Sequence, residues 1–320
     1  MIPAQQAQHC SSLTPNCIKL KSCISAVWTT RGAVLPPTAP MRLLEVGAAA
    51  VLGGVAGYFL AKRAASPLGE TGSLTVGYWK IRGLAGPLRM MCHYKKQPFV
   101  NKAYGTDKEK WFADDKPALS KEKNSLMNLP YVIDGPTVVT QSNSCALYLG
   151  QRLGIDAPTY ALHNHQVLDE TMDLRNNTMK IVYPFNGTVK TKEEFPAAYE
   201  GHMKTLAASL GKLEGFCKGP YMCGPAIQSG DFALFEMLDQ HMDMCEQTNT
   251  AFDFAKFPKL SALHKAIKED PALASYFASE PYTKYPFNNP CPWMKQGTYF
   301  VGKGYGEGPC GDTDAKQVVF

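Results

Sequence analysis

From residue 74 to residue 153 the apolar residues switch repeatedly between two spacings, and beyond that only one spacing survives. That switch limits the fold more than any other feature of the chain. Short runs with the strand period alternate with stretches of the helical period. They predict a strand over 74–79, a helix over 87–96, a strand over 99–105 and a long polar loop over 106–127. Strands over 130–134 and 137–140 follow, with a hairpin turn at Asp134-Gly135, and then a helix over 142–153. After "GIDAP" at 154–158 the pattern is helical over 160–185, 194–216, 230–246, 259–269 and 271–279. The order is β-α-β, then β-β-α, then helices alone: a small mixed sheet with an all-helical half behind it. The tail from 281 to 320, rich in Pro, Gly and aromatics, has no usable period and is expected to be irregular.

Residues 1–73 are of another kind. Glu45 is the first acidic residue, and the leading forty residues are rich in Ser, Thr, Pro and Ala with a few bases, the composition of a presequence or a disordered tail. "VGAAAVLGGVAGYFLA" at 46–61 is sixteen uncharged residues closed by Lys62-Arg63, and Leu43-Leu44 extend it toward membrane-spanning length. It reads as an anchor with a cytosolic catalytic portion, or as a cleaved signal. "SPLGETGS" at 66–73 is a linker. Of the net charge of +5, residues 1–70 carry +4, so the remaining 250 residues carry +1 and form no nucleic-acid footprint. Ten scattered cysteines contain no C-x-x-C pair and no zinc spacing. They read as free thiols, and His163 and His165 as solvent-facing side chains, so no metal is expected.

Three motifs carry chemistry: "GYWKIRGLA" at 77–85, "NLPYVIDG" at 128–135 and "TQSN" at 140–143. In that order and spacing, on this topology, the chain resembles the mu class of glutathione transferases over about 74–280. The resemblance implies an α/β plus all-α architecture. A thioredoxin-like domain over 74–156 would bind glutathione, and an all-helical domain over 157–280 would bind the electrophile. It further implies a homodimer that uses glutathione as co-substrate and no cofactor.

Tyr78 and Trp79 stand together where the first strand ends. Aromatics favour strands, so a rim role would suffice. A hydroxyl there can also serve a thiol, whose pKa near ~8.5 leaves only a few per cent as nucleophilic thiolate at neutral pH. Hydrogen bonding to the anion lowers that pKa, and tyrosine, with a pKa near ~10, donates its proton without losing it. Tyr78 matches the family's catalytic tyrosine, and Trp79 and Leu84 match residues beside it.

Pro130 opens a strand, which suits an edge, a cis bond or a plain strand start. The resemblance implies that the Leu129 backbone, following Asn128, pairs with the cysteinyl unit of glutathione. Ser142 is a helix-cap candidate whose N-terminal N–H groups suit a carboxylate. The resemblance gives Gln141 and Ser142 the γ-glutamyl end. It gives Trp111, with Lys108 and Lys116, the glycine carboxylate, although lysines in "DKEKWFADDK" are by default solvated charges. Met172, Asn176, Met179 and Tyr183 are spaced to share one helix face, read as core or as the wall of the electrophile pocket. By resemblance Asp173 reaches glutathione across the dimer, and the Tyr183 hydroxyl reaches the electrophile.

Leu126 stands where many mu members have Phe, and Leu147 where an arginine is expected, which alters the dimer contact. Gln228 stands where a Ser or Thr cap belongs three residues before Asp231. The reading is a transferase that adds glutathione thiolate to hydrophobic electrophiles. The alternatives are a binding or scaffold protein of the same fold, or a glutathione-dependent isomerase or peroxidase.

Overall fold

Strand β1 (Thr75–Trp79) is the centre of a mixed sheet, with β2 (Phe99–Tyr104) parallel on one side and β3 (Tyr131–Asp134) antiparallel on the other. β4 (Thr137–Thr140) closes one edge as a hairpin with β3, where Asp134 pairs with Thr137 and Gly135 takes a positive φ of 57°. These features come from a computed structural model of the chain, which describes residues 74–183, 188–191, 193–248, 250–288 and 311–320. The presequence or anchor reading of 1–73 lies outside those residues. Among the described residues no helix is long and apolar enough to cross a membrane.

The expected β-α-β and β-β-α order is what forms. The connection between β1 and β2 is α1 (Gly86–Tyr94), which carries Pro87 in its first turn and is buried from Gly86 through His93. A helix that is apolar nearly all round has to be covered on every side, and α1 lies between the sheet and the helical half. In that half, α4 (Ala161–Val182) packs on α5 (Phe195–Phe216) and on α6 (Ser229–Gln247). α7 (Pro258–Lys268) and the short α8 (Ala274–Phe277) and α9 (Glu280–Thr283) follow.

Two sequence expectations need correction. The loop expected over 106–127 contains a π-helical turn, Lys110–Asp115, that runs into α2 (Lys116–Glu122). Trp111 is the cause. It is buried between Tyr104 and Tyr131, with ring centroids 5.1 and 6.0 Å away, and Leu119 of α2 packs on the same cluster. The tail expected to be irregular supplies β5 (Asp314–Val318), antiparallel to β2 with Phe99 opposite Val318 and Ala103 opposite Asp314. The sheet order is therefore β4-β3-β1-β2-β5. β5 is mostly exposed and polar, so period-two apolar patterning could not announce it.

The start of α6 shows how a missing cap residue is compensated. Gln228 occupies the N-cap, and the Asp231 carboxylate accepts from the Gln228 N–H (2.7 Å) and the Met222 N–H (2.8 Å). The next two N–H groups are satisfied from far along the chain. Ser229 donates to Asp156 Oδ1 (2.7 Å) and Gly230 to Asn164 Oδ1 (2.9 Å). Asn164 lies between the two histidines of "HNHQ", and it is the working residue of that motif. His163 is half-buried against Phe216 with ring centroids 4.6 Å apart, and His165 is exposed. The described cysteines are all buried and free.

A pair of buried histidines gives the helical core a pH dependence. His241 Nδ1 lies 2.6 Å from the Met237 carbonyl, so that nitrogen carries the proton. Its Nε2 then accepts from His202 Nε2–H across 3.0 Å. Burial, with the neighbouring imidazole adding to it, pushes His202 down to about 3, and burial pushes His241 down to about 4. In the unfolded chain both take a proton near the ordinary ~6.5. Their contribution is therefore complete above pH ~6.5 and falls away as pH drops toward 4. Linkage sets the loss at about 2 kcal/mol per histidine between pH 7 and pH 5. Urea unfolding of the wild type should show this slope, and His202→Gln should flatten it. Parallel curves for the two proteins would show that the pair is not its source.

Candidate active site

Tyr78 comes off the end of β1 and is 4 % exposed. The turn that follows folds back over its ring. Gly83 has φ +40°, and a Cβ built there would stand 2.8 Å from Tyr78 Cε1 and 3.0 Å from its hydroxyl. Only glycine allows the turn to lie this close to the phenol. Among the described residues the Tyr78 hydroxyl makes no protein hydrogen bond, so it is available to a ligand.

Arg89, fully buried on α1, fixes this turn from below. It donates from Nη1 to the Ile81 carbonyl (2.7 Å) and from Nε to Asn101 Oδ1 (2.8 Å). Arg82 fixes it from the side. Its Nη2 lies 2.9 Å from Glu236 Oε2 and 2.7 Å from Asp239 Oδ2, both on α6, and its guanidinium sits over the Tyr282 and Phe287 rings. Burial opposes the guanidinium charge, but the two carboxylates outweigh it and raise Arg82 well above its ordinary range. Burial raises the Glu236 carboxyl, and Arg82 offsets that only in part. Burial also opposes ionisation of Asp239, yet the His264 hydrogen bond and Arg82 bring it well below the carboxylate range. Backbone bonds complete the clasp, from Arg82 N–H to the Pro286 carbonyl (2.8 Å) and from Gly83 N–H to that of Phe287 (3.1 Å).

Beside Tyr78's strand, the Leu129-Pro130 bond is cis, one of the forms the sequence left open. Thr140 holds this corner. It accepts from the Asn128 N–H (3.1 Å), and its hydroxyl lies 2.8 Å from the Asn128 carbonyl and 3.2 Å from that of Pro130. Next along the chain Gln141 has φ 70° and ψ 124°, a backbone region costly for a residue with a Cβ. Gln141, not Ser142, is the N-cap of α3 (Ser142–Arg152), and it makes no side-chain cap bond. The cap assignment of Ser142 is thereby corrected: it is the first helical residue. The first-turn N–H groups of α3 thus lack a side-chain cap, and the positive end of the helix is open to an anion.

A narrow cleft runs between these parts. Its volume is about 40 Å³, and its walls include Gly83, Leu84, Ser142, Met172 and Glu236. Lys108, just before the π-turn, is exposed; Trp111 on the π-turn is buried, and Lys116 at the start of α2 is half-buried. Trp79 is half-buried, edge-on to Tyr104 at 6.3 Å. The four residues expected on one face of α4 are separated. Met172 reaches the cleft, while Asn176 and the neighbouring Asp173 are exposed. Met179 and Tyr183 instead join a second apolar cluster with Phe195, Tyr199, Met244 and Phe287. The reason is length: a stripe over eleven residues runs some 16 Å along a helix, and α5 and the tail cover its far end. Arg82, Arg89 and Thr140 were not assigned roles from sequence. A cation inside a helix as apolar as "PLRMMC" was the available signal for Arg89.

The family model "Glutathione S-transferase, C-terminal domain" matches residues 172–280. The class-mu 26 kDa isozyme 51 glutathione S-transferase of Fasciola hepatica is 29 % identical over 218 residues, 67 % of this chain and 92 % of that protein. Over two thirds of its length the chain is similar to mu-class glutathione S-transferases. Human glutathione S-transferase Mu 3 is 27 % identical over 228 residues, 68 % of this chain and 93 % of its own length. Among solved structures, the glutathione S-transferase Blo t 8 superposes with a TM-score of 0.58 at 28 % identity, covering 70 % of this chain and all of that one. A pi-class transferase of Onchocerca volvulus, at 22 % identity and a TM-score of 0.54, shares the fold.

Proposed function

We infer that the protein conjugates reduced glutathione, as its thiolate, to hydrophobic electrophiles. The observation that carries this reading is the Tyr78 hydroxyl, held under the Gly83 turn with no protein partner. It donates to the glutathione sulfur and lowers the thiol pKa, so the thiolate is present at neutral pH. The thiolate then attacks the electrophilic carbon. With an aryl halide the C–S bond forms and halide leaves; with an epoxide the C–O bond opens and the oxygen takes a proton.

The peptide lies along the Leu129-Pro130 corner, after Asn128, its cysteinyl unit on the Leu129 backbone. Its γ-glutamyl carboxylate meets Gln141, Ser142 and the open N-terminus of α3. Its glycine carboxylate meets Lys108, Trp111 and Lys116, and Trp79 flanks the site. The electrophile occupies the cleft walled by Leu84 and Met172. The enzyme works as a homodimer, in which exposed Asp173 reaches the partner's glutathione ammonium and Leu126, 68 % exposed, supplies apolar contact. Residues 1–73 take it to a membrane or an organelle, as an anchor or as a cleaved presequence. Retention on immobilised glutathione, followed by turnover of an aryl halide, tests the reading. A protein that binds glutathione without turnover would be the scaffold alternative.

Tyr183 ends α4 in the cluster containing Phe287, whose carbonyl takes the Gly83 N–H. Although it lies in that cluster and not among the walls of the cleft, the resemblance gives its hydroxyl the proton donated to the oxygen released from an epoxide or enone. Tyr183→Phe should slow such substrates about tenfold, or ~1.4 kcal/mol, and spare aryl halides. Equal losses on both substrate types would return Tyr183 to packing alone.

A further inference from the structure

The C-terminal strand does more than widen the sheet. Just before β5, the chain at Gly311–Thr313 lies against Gly105–Asp107, the loop that leads through Lys108 into the π-turn of Trp111. The approach is close: a Cβ on Gly105 would stand 2.0 Å from the Gly311 carbonyl oxygen. The Thr106 N–H donates to that same carbonyl (2.9 Å).

Thr313 is the centre of the contact. Its hydroxyl accepts from the Gly105 N–H (3.0 Å) and donates to Asp107 Oδ1 (2.6 Å), which also takes the Thr313 N–H (2.8 Å). The Asp107 carbonyl in turn accepts the Lys110 N–H (3.0 Å), closing the turn that leads into the π-helical segment. Asp107 is thus gripped by the tail through its side chain and by the π-turn through its backbone, one residue before Lys108. Lys80 adds a second tie, donating to the Asp312 carbonyl (3.0 Å) and pairing with Asp314 (2.8 Å) two residues after Tyr78.

We propose that Thr313 is a positioning residue for the glycine-carboxylate end of glutathione, acting through Asp107 on the placement of Lys108 and Trp111. The proposal rests on the transferase reading above. A loop with the length and polarity of 105–110 would sample many conformations if left to itself, and ordering it on binding would cost backbone entropy. The tail removes that cost before the peptide arrives, so the site is preorganised for binding rather than ordered by it. Asp107 reports the same grip, because the Thr313 hydrogen bond brings its carboxyl below the usual range.

The test compares glutathione with γ-glutamylcysteine, which lacks the glycine. In the full-length protein, Thr313→Val should raise KM for glutathione about tenfold, the scale of losing one charge-assisted hydrogen bond, with kcat at saturation unchanged. KM for γ-glutamylcysteine should not move, and Thr313→Ser should restore the wild-type value. Asp107→Asn should give the same split from the other side of the contact. A thermal melt alongside keeps folding separate from binding. Equal losses on both peptides would make Thr313 a general structural residue, and no loss on either would leave the tail without a role in binding; both results overturn the inference. Wild-type protein that failed to bind glutathione would overturn the transferase reading as well, so the two failures are distinguishable.

Discussion

Replacing Arg82 by alanine is expected to lower the unfolding free energy by about 3–5 kcal/mol, the cost of breaking a buried ion pair by removing one partner. The effect is large because two buried carboxylates lose their counter-charge together. Asp239 keeps His264 (3.2 Å) and the Tyr282 hydroxyl (3.1 Å). Glu236 keeps nothing comparable, since its second oxygen, Oε1, is buried without a partner. Removing both charges should hurt less than removing one. Arg82→Met combined with Glu236→Leu replaces the pair by apolar groups of similar volume and should recover part of the loss. Chemical denaturation of the two variants against wild type checks this. If Arg82→Ala unfolds at the wild-type midpoint, the clasp between the β1–α1 turn and α6 is not the stabilising contact described here.

The second large effect is catalytic. Tyr78→Phe should lower turnover of an aryl halide at neutral pH by about ten- to a hundredfold, since a hydrogen bond to a charged group is worth roughly 1.5–3 kcal/mol. KM for glutathione should stay near wild type, because in the proposed reading the peptide is held by the cis-proline corner, the start of α3 and the π-turn rather than by the Tyr78 hydroxyl. The fold should be unaffected, since the hydroxyl makes no protein bond that phenylalanine would lose. A variant that keeps full turnover would remove Tyr78 from the chemistry.

How much of this was legible in the sequence depends on whether the information was local. The period switch near Gly154 and the alternation before it specify the sheet and the helices, because burial on one face imposes a repeat on neighbouring residues. Tyr78, Leu129-Pro130 and Gln141-Ser142 were legible as motifs at strand ends and helix starts. The correction at Ser142 is one position, with Gln141 taking the cap in an unusual backbone conformation. What stayed hidden was non-local. Thr140 acts on the Asn128 corner across a hairpin, Arg82 finds its carboxylates 154 and 157 residues away, and Asp156 and Asn164 cap a helix that begins more than sixty residues later. β5 was hidden because an exposed polar strand pairs through its backbone, which side-chain patterns do not report. The α4 stripe misled for a related reason. Spacing defines a face, but what covers each end of that face is decided by α5, α6 and the tail.

The most direct measurement of the central claim is the pKa of the glutathione thiol in its complex with the protein, followed by ultraviolet absorbance of the thiolate in wild type and in Tyr78→Phe. In wild type the bound thiol should titrate well below its free value of ~8.5, and in the variant it should return toward that value by about one to two units, the pKa equivalent of the lost hydrogen bond. Bound glutathione that titrates at the same pH in both proteins would contradict the account.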